Sequence, residues 1–417
     1  MKIYNQVNIF GLGDDDAIDI EVIRQSGATA GFQSGYTDGY ASYECEDIYR
    51  GMYLTFGIIS GGTIVWKTND ASQAKTIEYS KNGGEWTSIT STIEGAEIEV
   101  ETGDKVEFRG DNNYYSSGVT TGAGNYNTFG TLLFNSAITT AVFEVYGNIM
   151  SLINKTDFSN ITEIQGGFGR LFRECTGLTT AKNLVLPVTT LTEWCYGQMF
   201  YGCTSLSTAP ELPATTLASY CYQNMFGDCT SLTAAPELPA TTLAEGCYDS
   251  MFYKCTSLTT APELPATTLT DYCYKSMFAS CTSLTSAPEL PATTLAQRCY
   301  GAMFQNCTGL TTAPELPATI LANNCYMTMF GDCTSLTAAP ELPATTLANY
   351  CYSNMFWKCT SLNYIKCLAT DISATRCTSG WVANILTNGT FVKDPSMSSW
   401  TTGMSGIPSG WTIVDAE

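Results

Sequence analysis

Histidine is absent from all 417 residues. That removes every Ser-His and Cys-His nucleophile and every imidazole metal ligand in one step. Positive charge is scarce as well: 19 Lys and Arg stand against 39 Asp and Glu, a net charge of −20. Such a surface repels phosphate backbones and anionic lipid, so nucleic acid is a poor partner. No apolar run approaches the roughly eighteen residues of a spanning helix, so no membrane insertion is expected. The opening stretch, MKIYNQVNIFGLGDDDAIDI, has one lysine but no apolar centre and no small-residue cleavage site. It does not read as a secretory signal, and the expected route is synthesis in a cytoplasm without general export. Neither a phosphate-binding glycine loop nor a nucleophile elbow occurs. These absences point away from an enzyme and call for no cofactor. A pair of carboxylates for glycoside hydrolysis, recognised by geometry alone, is the one catalytic arrangement left open.

What is present is a repeat. The unit APELPATTLxxxCYxxMFxxCTSLTx recurs at constant spacing, with copies beginning at Ala209, Ala235, Ala261, Ala287, Ala313 and Ala339. A looser, slightly longer copy starts at Ala181, and a half copy ends at Cys175. A short fixed period of this kind is the mark of a solenoid, in which each unit packs only on its neighbours. One unit offers about seven buriable side chains at roughly 1.5–3 kcal/mol each. Ordering its backbone costs about 1–2 kcal/mol per residue, so a single unit does not fold alone.

The 18 cysteines follow the repeat: only Cys45 precedes Cys175. One column runs Cys195, Cys221, Cys247, Cys273, Cys299, Cys325 and Cys351. A second, eight positions later, runs Cys203, Cys229, Cys255, Cys281, Cys307, Cys333 and Cys359. On a helix that separation spans about 12 Å, beyond the roughly 7 Å limit of a disulfide. Paired CxxC spacing for zinc is missing. Buried thiol columns are the expectation, with cysteine packing as a small hydrophobe.

In the second full copy, Cys221, Met225 and Cys229 lie at i, i+4 and i+8, with Tyr222 and Phe226 beside them. This predicts a helical stripe, with 219–220, 223–224 and 227–228 on the opposite face. A short extended piece follows from Leu232 to Leu238, kept brief by Pro236 and Pro239, which donate no hydrogen bond. The MFxxCxSLxxxxxLP pattern resembles the BspA-like leucine-rich repeats, the 26-residue bacterial surface protein type found in gut bacteria and their phages. The resemblance covers roughly residues 170–365. It implies a right-handed leucine-rich-repeat solenoid and an association with adhesion or host contact, and it supplies no catalytic residues.

The cores of the copies barely change, while the outer pairs vary freely. Candidate ligand-binding residues on that face are Trp194, Tyr201, Tyr220, Tyr253, Lys254, Tyr272, Arg298, Tyr350, Trp357 and Lys358. Exposed aromatic and cationic side chains in rows suit a contact patch. A solvated face free to drift would vary in the same way. Two further ladders are expected in water: Glu211 to Glu341 and Thr215 to Thr345, one residue per unit, the threonine face broken by Ile320.

The first 150 residues differ in character. Ile77–Ser80 and Glu85–Ile89 flank an Asn-Gly turn and read as a hairpin. Glu97–Glu101 and Lys105–Arg109 alternate strictly, as strands with one face in water do. Further strands are expected at 132–134 and 141–146, together an antiparallel β-sandwich. Gly27, Gly31, Gly35 and Gly39 recur every fourth position. They suit either a helix that docks or self-associates through a glycine strip, or a flexible segment. After about residue 366, strands near 389–392 and 410–414, with Trp381, Trp400 and Trp411, suit a terminal cap.

The expected fold class is therefore an α/β leucine-rich-repeat solenoid preceded by an antiparallel β-sandwich domain and a short N-terminal helical segment. Its parts are 1–48 (docking or oligomerisation), 49–148 (sandwich), 149–366 (solenoid) and 367–417 (cap). Together with the resemblance, this points to a non-enzymatic phage virion protein, a tail fibre or receptor-binding appendage. Its expected partners are a bacterial surface receptor, polysaccharide or protein, other virion proteins through the N-terminal segment, and further copies of itself. A bacterial surface adhesin and a ligand-free structural spacer are the alternatives.

Overall fold

The computed structural model describes residues 36–37, 40–41, 45–113, 115, 132–134, 140–398 and 400–417. Strand β1 (Tyr36–Thr37) pairs antiparallel with β2 (Tyr40–Ala41), and helix α1 (Cys45–Arg50) follows. The glycine-strip helix fails at this end, where the chain is extended and paired instead of coiled. The rest of that predicted segment, with Gly27, Gly31, Gly35 and Gly39, lies outside the described residues.

The next part is two sheets. Strands β3 (Leu54–Ser60), β5 (Thr76–Lys81), β6 (Thr87–Thr90), β8 (Lys105–Arg109) and β10 (Val142–Asn148) form an antiparallel sheet, extended by the parallel β11 (Leu184–Val185) in the order β11-β10-β3-β8-β5-β6. Strand β4 (Gly62–Thr68) pairs antiparallel with β7 (Ala96–Val100) and β9 (Leu132–Phe134) in the second. The predicted hairpin is present, with Asn82 and Gly83 both at positive φ (55° and 71°), as its turn requires,. The two alternating segments part company: β7 joins the small sheet and β8 the large one. Alternation puts Leu54, Phe56 and Ile58 inward on β3, and Phe56 meets Phe134 of the other sheet at 4.9 Å.

The apolar interior continues without a break into the repeats. Phe134 stacks on Phe172 at 5.9 Å, and Phe143, Val145 and Gly147 of β10 donate backbone hydrogen bonds to Gly177, Thr180 and Asn183. Beyond this point successive units stack on one another. Phenylalanines from Phe172 to Phe356 form one column of stacked rings at 5.4–5.8 Å. Tyrosines from Tyr196 to Tyr352 form a second, and all are buried.

The predicted helix of each unit is absent. In its place runs a ribbon of consecutive turns. The amides of Cys221, Gln223, Met225, Gly227 and Cys229 bond back to the carbonyl three positions earlier at 3.1–3.3 Å. The alternate amides, of Tyr220, Tyr222, Asn224, Phe226 and Asp228, reach the carbonyls of Glu245, Cys247, Asp249, Met251 and Tyr253 in the next unit at 2.7–3.0 Å. Every fourth residue is left-handed: Tyr220, Asn224 and Asp228 have φ of 56°, 51° and 58°. The same three positions are left-handed in each unit through Tyr350, Asn354 and Lys358. The physical reason lies in the repeat CYxxMFxxC. Four residues turn a helix by about 400°, so a strict period of four slips round it by about 40° per step. A turn ribbon of period four keeps pairs inward and pairs outward without drift. The described chain is thus mostly β and turn, with α1 and two short 3₁₀ turns as its helical content, and the α half of the expected class is corrected.

Ala302, left-handed at φ 53°, provides a test. Ala302→Gly should raise stability by up to about 1 kcal/mol, because glycine adopts this conformation without strain. In a helix the same change costs about 1 kcal/mol. A lowered urea midpoint would return this stretch to a helix.

The extended pieces after each ribbon make isolated parallel bridges such as Thr216↔Thr242 and Ala234↔Thr260, consistent with the two prolines in each,. They become continuous only at the C-terminal end. There β12 (Ala338–Leu342), β13 (Tyr364–Cys367), β14 (Thr390–Lys393) and β15 (Thr412–Asp415) form a four-stranded parallel sheet. The ribbon also continues past residue 366: the amides of Tyr352, Phe356 and Lys358 donate to Cys377, Trp381 and Ala383. Trp381 closes both ring columns, 6.2 Å from Tyr352 and 6.3 Å from Phe356, and Trp400 stacks on it at 5.7 Å.

Candidate functional site

The ribbon decides where the variable residues go. Each unit presents three outward pairs, and stacking turns them into three parallel outer columns, so a residue's nearest outer neighbour lies one full period along the chain. Tyr220, Tyr272, Arg298 and Tyr350 fall in the first column with Trp194. Tyr201, Tyr253 and Trp357 fall in the third, with Lys254 and Lys358 beside them. All ten candidates are therefore gathered on one face, in two columns.

They are less exposed than expected. Trp194 is buried, at 8% exposure, because it stacks on Tyr220 at 5.0 Å. Tyr220 in turn donates its hydroxyl to Glu245 at 2.7 Å and covers Gly246, where an added Cβ would collide with the ring. The other aromatic candidates are half-buried, and Lys254 and Lys358 remain exposed. Tyr272 accepts from Gln297 at 3.0 Å, and the Arg298 guanidinium lies 5.9 Å from its ring centre. Arg376 stands in the same relation to Tyr350. In the third column Arg173 lies 5.0 Å over Tyr201, Lys254 5.1 Å over Tyr253 and Lys358 4.1 Å over Trp357. Partial burial, then the Asp228 carboxylate, push the Tyr201 phenol up to about 12.

Between these columns runs a polar one. Gln223 donates to Asp249 at 3.1 Å, and Lys275 pairs with Asp249 at 3.3 Å. At the near end Arg170 and Arg173 share the Gln198 side-chain oxygen at 3.0 and 2.9 Å, and burial holds the Arg170 guanidinium down to about 10. Arg173, Asp228, Asp249, Asp332 and Arg376 are partners that sequence reasoning did not single out. The period would have found most of them: Arg376 stands one unit beyond Tyr350, and Lys254 one unit beyond Asp228.

The opposite edge is simpler. Glu211 to Glu341 are all exposed, as are Thr215 to Thr345, and Ile320 stands out at 60% exposure. The thiols are interior. Seventeen cysteines are free and buried. Each Sγ from Cys229 to Cys359 in the second column donates to a phenylalanine carbonyl of the preceding unit, Cys229 to Phe200 for example, at 2.9–3.1 Å. Among the described residues no group of three or more Cys, Asp or Glu is arranged to hold a metal ion, and no helix is long and apolar enough to cross a membrane. No protein-family model, no curated protein and no solved structure matches the chain.

This arrangement suits contact with a ligand. The rings are pinned by stacking, hydroxyl bonds and overlying cations, so little side-chain entropy is lost when a ligand covers them.

Proposed function

We propose that the chain is a non-enzymatic receptor-binding protein of a phage virion, a tail fibre or appendage, built as a leucine-rich-repeat solenoid that touches the bacterial host with its variable face. The observation that carries this reading is the pairing of rings and cations from neighbouring units, Tyr272 with Arg298 and Tyr350 with Arg376, on a frame whose interior does not vary. Constant core and variable, pre-ordered surface are what a family of receptor binders needs: one scaffold, many specificities. The likeness to the BspA-like repeats supports the same reading. The net charge of −20 makes nucleic acid an unfavourable target,.

The test is binding of the fluorescently labelled full chain to a panel of gut bacterial strains. Deleting the repeats is a poor control, since the sheets share their core with the first unit. A variant with Tyr272 and Tyr350 replaced by serine alters only the first outer column. Strain-selective binding that falls at least tenfold in this variant, with an unchanged melting temperature, is the expected result, each lost ring being worth about 1–2 kcal/mol at a hot spot. Absence of binding to every strain would leave a ligand-free spacer as the better account, and binding to animal matrix instead would favour an adhesin.

A further inference from the structure

The third outer column carries one constellation twice. Gly227-Asp228 is followed one unit on by Tyr253-Lys254, and Gly331-Asp332 is followed in the same way by Trp357-Lys358. The geometry repeats with the residues. Lys254 lies 3.7 Å from Asp228 and 5.1 Å from the Tyr253 ring centre. Lys358 lies 3.7 Å from Asp332 and 4.1 Å from the Trp357 ring centre. Each ring has a residue with little side chain one unit to either side, Gly227 and Ala279 in one case, Gly331 and Ala383 in the other. In the first set the Tyr201 ring also lies against Gly227. The units between carry Ser280 and Asn306, joined at 3.2 Å, with no ring in that column.

Residues 225–244 and 329–348 are identical, so duplication accounts for the shared Gly-Asp pair, but not for the ring and lysine that meet it one unit on. The other outward ribbon pairs of the two blocks all differ: Ser219-Tyr220 against Asn323-Asn324, Gln223-Asn224 against Met327-Thr328, Glu245-Gly246 against Asn349-Tyr350, and Asp249-Ser250 against Ser353-Asn354. Among the outward ribbon pairs, only the glycine, aspartate, ring and lysine set is kept. The two sets are four units apart. Four ring-to-ring steps of 5.7–5.8 Å in the adjoining phenylalanine column place them about 23 Å apart, a span that one extended ligand can bridge.

We propose that the two sets are equivalent subsites for a single linear bacterial polysaccharide, which presents the same sugar at regular intervals. The inference rests on the surface-contact reading above and names its ligand. A pyranose offers an apolar C–H face to the tyrosine or tryptophan ring, hydroxyl donors to the aspartate and hydroxyl acceptors to the lysine ammonium. A repeating ligand meets a repeating site, and simultaneous engagement multiplies a weak single-site affinity by roughly 10²–10⁴.

The experiment measures the full chain on arrayed purified capsular and cell-wall polysaccharides, and on acid-hydrolysed fragments of any that bind. Tyr253→Ala, Trp357→Ala, the double variant, and Lys254→Gln with Lys358→Gln are compared. The two lysines are exposed, so the last variant does not threaten the fold. The expected result is binding to a linear polysaccharide, weakened at least about tenfold by either ring variant and by the lysine variant as avidity is lost. Fragments too short to span both sets should bind the wild type no better than either single variant. Failure to bind any polysaccharide overturns the proposal, as does equal binding by wild type and variants, or short fragments matching the intact polymer. Intact-cell binding that survives periodate but not protease also overturns it, while leaving the surface-contact reading in place.

Discussion

Held fully reduced and brought above about pH 9, the protein should unfold, at a pH where most domains are still stable. Burial pushes the thiols of Cys195, Cys273, Cys307, Cys325 and Cys359 up to about 12, and raises the others in both columns as well. In the unfolded chain each thiol releases its proton near pH 8.5. The folded form therefore binds more protons than the unfolded form above that value, and stability falls as pH rises. Below about pH 8 both forms are protonated and the thiols contribute no pH dependence. Each thiol supplies a slope of about 1.4 kcal/mol per pH unit. The columnar thiols acting together approach about 20 kcal/mol per unit, against a total stability on the order of 5–15 kcal/mol for a domain. Melting temperature measured from about pH 7 to 10.5, with a phosphine reductant to prevent disulfide exchange, reads this directly. A flat profile would mean that the thiols reach water in the folded state.

Trp381→Ala should be the most damaging single change at the C-terminal end, at about 3–5 kcal/mol. Trp381 is fully buried, closes the tyrosine and phenylalanine columns, stacks on Trp400, and donates its indole N–H to the Gly406 carbonyl at 2.8 Å. Its removal opens a cavity where no further unit can close in. In a stack with nearest-neighbour coupling, the loss should be local. Hydrogen exchange should quicken in residues 350–417 while protection near Phe226 is kept. Loss of protection along the whole stack would show that the repeats unfold as one unit, and a cost below about 1 kcal/mol would show that the end is held by the parallel sheet instead.

Much of the interior is legible in the sequence. The columns at Cys221, Tyr222, Met225, Phe226, Cys229 and Leu232 are all buried, and the hairpin at Asn82-Gly83 forms where its turn residues place it. Inward and outward positions follow from side-chain chemistry, which any regular backbone must respect. The backbone between them is not legible in the same way. The Cys221, Met225 and Cys229 spacing satisfies a helix over two turns, and only its strict period of four, with Asn, Ser, Asp and Gly in the outer pairs, argues for turns.

The candidate face shows the same division. The variability of the outer pairs marked the right positions, yet the stacking of Trp194 on Tyr220 and the placing of Arg376 over Tyr350 depend on contacts between units. Sequence alone settled that this chain repeats at one fixed period, which side chains fill its interior, and that its thiols pack rather than crosslink. These follow from composition and period, which are properties of one unit. Tertiary structure alone decided that alternate amides bond to the next unit instead of up a helix, and which variable residues become neighbours. A hydrogen bond between successive units leaves no local signature, because its strength comes from the neighbour's backbone and not from the side chain that sits there.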